Sequence, residues 1–303
     1  MGPSVTQGVP EEIMSSPVSK LGLGSGQFAL DRAPVRGRPP RAEVQDILEV
    51  AARSGIRLID VTGHSAQAER EIGEVLPCPD RFNVCISTIR PDRGPDMIEA
   101  EARASLNRLG VSQAECIVVP SVAELLGPHG AALWDRLKAL RDSGLTRKIG
   151  VSVFASDDPL GVARRFRPDI IQAPASLLDQ RLINDGTLAA IAGLGMEVHL
   201  RSIFLNGLIL LPPDRAPSHL REAAARISRA RRMIAEGRSD PLQASLGFAL
   251  SRPEATAVLV GVASAAELNA VVAAAASPPP DLDWDDMAID DPDALDPGSW
   301  AAA

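Results

Sequence analysis

The chain has 303 residues, a formal net charge of −8, and a hydrophobic fraction of 45% with only 3% aromatics. That length suits one large α/β domain or two small ones, and the core must be built from Ala, Val, Leu and Ile. The negative balance argues against a nucleic acid gripped through its phosphates, and no apolar run of about 18 residues is present to form a membrane span.

Residues 1–19 carry Pro, Ser and Gly without a basic stretch followed by an apolar one, so they read as a disordered leader rather than a secretory signal. Leu21–Gly24 is the first expected strand. Arg41–Ser54 has helical spacing, with Val44, Ile47, Leu48 and Ala51 on one face and Gly55 as its cap. Strand Arg57–Asp60 and a helix over Ala68–Val75 follow. Strand Phe82–Thr88 leads to helix Asp96–Leu109, closed by Gly110. Strand Glu115–Val119 leads to helix Ala131–Ser143, closed by Gly144. Next come strand Lys148–Ser152, a helix near Asp157–Phe166, strand Asp169–Gln172, and helix Asp185–Leu194 with Gly195 as its cap. Strand Met196–Ser202 precedes two helices, the Arg-rich Ser218–Glu236 and Pro241–Arg252. Ala257–Gly261 is the eighth strand and Ala265–Ala276 its helix.

Eight strands alternating with helices predict a single-domain α/β fold, a (β/α)8 TIM barrel over 20–276. A doubly wound sheet would also alternate, but no GxGxxG opens a helix; Gly22, Gly24 and Gly26 make only a weak GxGxG. Chemistry in such barrels sits at the C-terminal ends of strands. That singles out Asp60, Thr88, Ile89, Pro120, Ser152, Gln172, Arg201, Ser202, Gly261 and Val262.

Cys78, Cys85 and Cys116 are odd in number and show no CxxC spacing. A disulfide framework or zinc site is therefore not expected, and a reducing, cytoplasmic setting fits. His64, His129, His199 and His219 show no metal-ligand spacing. His199 lies inside a strand and reads as structural. Residues 277–303 carry eight Asp and no Lys or Arg, leaving 31 acidic and 31 basic residues in the rest. The segment reads as a solvated acidic tail, or else as a flap over the barrel mouth.

Several motifs together resemble the aldo-keto reductase family. They are Leu21-Gly22-Leu23-Gly24, Arg57-Leu58-Ile59-Asp60 with Ala68-Glu69 and Ile72-Gly73, and Ser105-Leu106-Asn107-Arg108-Leu109-Gly110. Arg147 to Ser152, Arg201 to Leu208, and Val260-Gly261 through Leu268 complete the set. The resemblance implies a carbonyl reductase using NAD(P)H, with an Asp, Tyr, Lys and His at the rim. Asp60 matches the aspartate. The tyrosine position is Ser65, the lysine position Ile89 followed by Arg90, and the histidine position Pro120; the chain contains no tyrosine at all.

The resemblance places cofactor contacts at Gly24, Ser152, Gln172, Arg201, Ser202, Leu205, Gly207, Gly261, Ser264 and Glu267. Arg201 stands where an aromatic ring would stack on nicotinamide. Glu267, near the position that would meet a 2′-phosphate, favours NAD over NADP. Two readings stay open. One is a binding or regulatory pseudoenzyme that takes a small molecule at the rim, or a protein partner. The other is an NAD(P)-dependent oxidoreductase whose acid/base pair is His64 with Asp60, beside Ser65. An isomerase or lyase without nicotinamide is a third.

Overall fold

The computed structural model describes residues 16–29, 39–61, 66–88, 93–211 and 221–296. The strands are β1 Leu21–Gly24, β2 Leu58–Val61, β3 Asn83–Ser87, β4 Ala114–Val119, β5 Thr146–Ser152, β6 Ile170–Pro174, β7 Glu197–Arg201 and β8 Ala255–Gly261. All pair in parallel in sequence order, and β8 returns to β1, closing a barrel. The expected (β/α)8 architecture is what forms.

The main outer helices are α1 Arg41–Arg53, α2 Ala66–Val75, α3 Pro95–Leu109, α4 Gly130–Asp142, α5 Pro159–Phe166, α6 Thr187–Gly193, α7 Arg221–Glu236, α8 Pro241–Leu250 and α9 Ala265–Ala276. Gly110, at φ 71°, closes α3 in the left-handed conformation that a side chain would resist. Four-residue helices at Gly26–Ala29 and Arg181–Asn184, and Val122–Leu126, escape periodicity because they are too short to show a face.

The core has two compartments. The larger lies between the sheet and the helices, built from Val, Ile and Leu as the low aromatic content requires. The smaller joins Cys85, Cys116, Val118 and Ile170, with Leu58 against them. These residues come from β2, β3, β4 and β6, and side chains from such separated strands meet inside a barrel. They form its plug. Gly22 serves the same interior, since a Cβ there would lie 2.6 Å from Leu259 Cδ2 and 2.8 Å from Leu58 Cδ2. Burial raises the Cys116 thiol pKa, with Cys85 beside it adding to the effect.

The motifs at Ala68-Glu69 and Ser105–Arg108 meet each other. Ser105 Oγ donates to Glu69 Oε1 at 2.7 Å and Arg108 Nε to Glu69 Oε2 at 2.6 Å, while Arg108 also pairs with Glu101. Gly73 lets α2 settle on the end of α3, because a Cβ there would lie 2.1 Å from the Arg108 carbonyl oxygen. These signature residues hold helices together at a distance from the rim.

The acidic C-terminal segment corrects the expectation of a solvated tail. Over 277–296 it lies against the barrel. Trp284 sets its ring edge-on to Phe248, centroids 5.6 Å apart, and its carbonyl accepts from Gln180 Nε2 at 2.6 Å. Met287, Ile289, Ala294 and Leu295 are buried, and Ile289 N donates to Leu178 O at 2.9 Å. Among the described residues, no helix is long and apolar enough to cross a membrane.

Candidate functional site

The barrel register gathers the rim residues into two arcs. Gly24 pairs with both Asp60 and Gly261. On the other side Ser152 pairs with Gln172, and Pro174 with Arg201. The arcs are joined through the lumen. Gln172 Nε2 donates to Asp60 Oδ2, a buried contact between residues 112 apart in sequence. The Asp60 carbonyl in turn accepts from Ser25 N at 3.0 Å and Ser25 Oγ at 2.7 Å, which fixes the start of the β1 loop.

Arg201, at the end of β7, brings a guanidinium to the mouth. Its Nη2 donates to Val153 O at 2.7 Å and its Nη1 to Ser202 Oγ at 3.3 Å. Its guanidinium lies 4.5 Å from the centroid of Phe154. Burial lowers its pKa, against the opposing fields of Asp296 and Asp60. No carboxylate pairs directly with it among the described residues, and its buried Nε has no partner. Thr88 Oγ1, at the end of β3, is likewise buried and unpartnered. The described rim thus holds two buried polar atoms, Arg201 Nε and Thr88 Oγ1, that no protein group meets.

The loop after β7 is locally strained. Ser202, Leu205 and Asn206 have φ of 60°, 45° and 51°, and Gly207 follows at 87°. Each non-glycine residue there costs about 1–3 kcal/mol unless its surroundings enforce it, and such runs concentrate at ligand clamps. Among the described residues, the amides of Ile203, Phe204 and Asn206 make no backbone hydrogen bond.

The N-terminus of α9 is already served by acids. Ser264 Oγ accepts from Glu267 N at 3.1 Å, and Glu267 Oε2 accepts from Ala263 N at 2.8 Å. Glu43, from α1, accepts from Ala265 N at 2.7 Å. Two carboxylates therefore stand where a helix would otherwise welcome a phosphate.

His64, Ser65, Ile89 and Arg90 lie outside the described residues. Pro120 closes β4 and is half-buried. Sequence reasoning missed Phe154 and Glu43. Phe154 stands two residues beyond Ser152 and was within reach as a rim residue. Glu43 meets its partner across 222 positions, and no local pattern announces it. His199 belongs to the opposite end of the barrel. No group of acidic, His and Cys residues suited to a metal occurs among the described residues.

A family model described as the aldo/keto reductase family matches residues 20–289, beyond the barrel into the packed C-terminal segment. An aldo-keto reductase of Mycolicibacterium vanbaalenii is 30% identical over 159 residues, 50% of this chain and 52% of that protein. One from Mycolicibacterium smegmatis is 28% identical over 120 residues, 39% of this chain and 42% of that protein. The aligned part thus spans about half the length of these curated relatives. The holo form of an aldo-keto reductase from Bacillus halodurans superposes with a TM-score of 0.70 at 17% identity, covering 88% of this chain and 89% of that one. At that identity the likeness speaks for the fold.

Proposed function

The chain belongs to the aldo/keto reductase family, and from that premise we propose that it binds a nicotinamide dinucleotide, NAD in preference to NADP, without carrying out ordinary carbonyl reduction. The observation that carries this reading is the absence of any tyrosine in 303 residues. Reduction of a carbonyl needs an acid poised near neutral pH beside the developing alkoxide. In this family a phenol fills that role, and Ser65 stands at its position. A serine hydroxyl without an adjacent lysine is far too weak an acid to replace it.

Two features of the rim support the same reading. Asp60, whose carboxylate would steady the lysine, is engaged by the Gln172 amide instead. The end of β4, where a histidine would orient the carbonyl, carries Pro120. The alternative, acid/base work by His64 with Asp60, would have to share the Asp60 carboxylate with Gln172.

When bound, the dinucleotide would supply a hydride-transfer group. Ser152, Arg201 and the loop through Gly207 would hold it, with Ser264 and Glu267 at its adenosine end. Calorimetry with NADH and NADPH tests the binding, and an assay on simple aldehydes and ketones tests the chemistry. Micromolar NADH binding without turnover supports the proposal. Turnover at rates usual for carbonyl reductases overturns its second half, and no binding of either dinucleotide overturns its first.

A further inference from the structure

The end of β5 forms a cradle for the head of Arg201. Val153 N donates to Gln172 O at 2.9 Å, which carries the β5–β6 pairing one residue past Ser152. Phe154 N then donates to Asp157 Oδ2 at 2.7 Å, and Asp157 N to Phe154 O at 3.2 Å. This closed turn fixes the Val153 carbonyl and the Phe154 ring together.

Arg201 reaches that turn from β7, across the end of β6. Its own carbonyl accepts from Ala175 N at 3.2 Å, just past β6. Its Nη2 donates to Val153 O at 2.7 Å, and its Cζ lies over the Phe154 ring, 4.5 Å from the centroid. One edge of the guanidinium is thus taken by a carbonyl and one face by the ring. Arg201 and Phe154 are both half-buried, so neither is sealed in the core. The guanidinium is carried toward β5 and Ser152.

The binding reading above, on which this inference rests, puts the adenosine end of a dinucleotide at Ser264 and Glu267 and its middle at the loop through Gly207. The nicotinamide ring then falls beyond β7, where Ser152 and Arg201 stand. A guanidinium held on one face can stack a flat ring on the other. The two redox forms differ at that point, because the oxidised ring carries a positive charge and the reduced ring none. A guanidinium against the ring therefore penalises the oxidised form. The fields of Asp60 and Asp296 also bear on Arg201, but they are the same for every variant compared below.

We infer that Phe154 is a positioning residue for the bound dinucleotide. It holds the Arg201 guanidinium against the nicotinamide ring, and the pair weights binding toward the reduced form.

Calorimetry of the full chain with NADH and with NAD+ reads the ratio of the two affinities. Wild type is compared with Arg201→Met, Arg201→Lys, Phe154→Leu, Phe154→Met and the double variant Phe154→Leu/Arg201→Met. Thermal melting checks that each is folded. Phe154→Met fills nearly the same volume, so it carries the test if the leucine variant does not fold. Arg201→Met should move the ratio toward NAD+ about tenfold, or about 1.4 kcal/mol. Arg201→Lys keeps the charge and should move it less. Each Phe154 variant should move it about threefold in the same direction, within the range of a cation–ring contact. The double variant should match Arg201→Met alone, because Phe154 acts only through the guanidinium. A merely structural role for Phe154 would weaken both dinucleotides equally and leave the ratio still. A ratio unmoved by the Arg201 and Phe154 variants, or additive effects in the double variant, overturns the inference and leaves the binding reading standing. No binding of either form by wild type overturns the binding reading, and the inference with it.

Discussion

Gln172, on β6, donates its side-chain amide through the barrel lumen to the carboxylate of Asp60 on β2. Replacing Gln172 with Leu removes that donor from the carboxylate, and a hydrogen bond to a charged group is worth about 1.5–3 kcal/mol. The urea midpoint of Gln172→Leu should fall accordingly. An unchanged midpoint would mean that the contact adds nothing to stability.

The pairing of Glu69 with Arg108 and Ser105 should behave as a structural clamp. Removing one partner from a largely buried pair costs about 3–5 kcal/mol, and here the Arg108 and Glu69 side chains are 15% and 9% exposed. Glu69→Ala is expected near the top of that range, and Glu69→Gln below it, because an amide oxygen still accepts from Ser105. Chemical denaturation of both variants checks the ranking. Equal losses would show that the charge carries the whole effect.

At the barrel floor, His199 and Lys148 together hold the Glu197 carboxyl down to about 2. Lys148, at 2.8 Å, is the closer partner, and His199, at 3.7 Å, the looser. A lowered carboxyl pKa contributes stability that is whole above the ordinary glutamate value of about 4.3. That contribution is lost as pH falls through about 2. The Glu197 side chain is 38% exposed, so solvent screens the effect and it should be modest. Unfolding curves from pH 7 down to 2 should show wild type losing stability in the acid range more steeply than Glu197→Gln. Parallel curves would refute the link.

The carboxylates of Glu43 and Glu267 at the start of α9 should decide the choice of dinucleotide. Converting both to glutamine removes two negative charges from the helix end proposed to meet the adenosine ribose. NADPH affinity should rise about tenfold relative to NADH, or roughly 1.4 kcal/mol. The gain should shrink at high salt, as screening requires. A preference that does not move would place the adenosine end elsewhere.

The sequence by itself determined the barrel. Each strand and long helix announces itself within a dozen residues through β-branched runs, 3.6-residue spacing and capping glycines such as Gly110. It also determined that no phenol is available anywhere in the chain, because tyrosine is absent from all 303 residues. Tertiary structure decided the rest. Gln172 finds Asp60 across 112 positions, and Glu43 finds Ala265 across 222. Such contacts depend on barrel closure and strand stagger, which no local pattern encodes. The C-terminal segment shows the same limit. Its eight aspartates suggest solvation, yet Trp284, Met287, Ile289 and Leu295 alternate with them. Trp284 and Ile289 find their places only where Phe248, Leu178 and Gln180 converge to meet them.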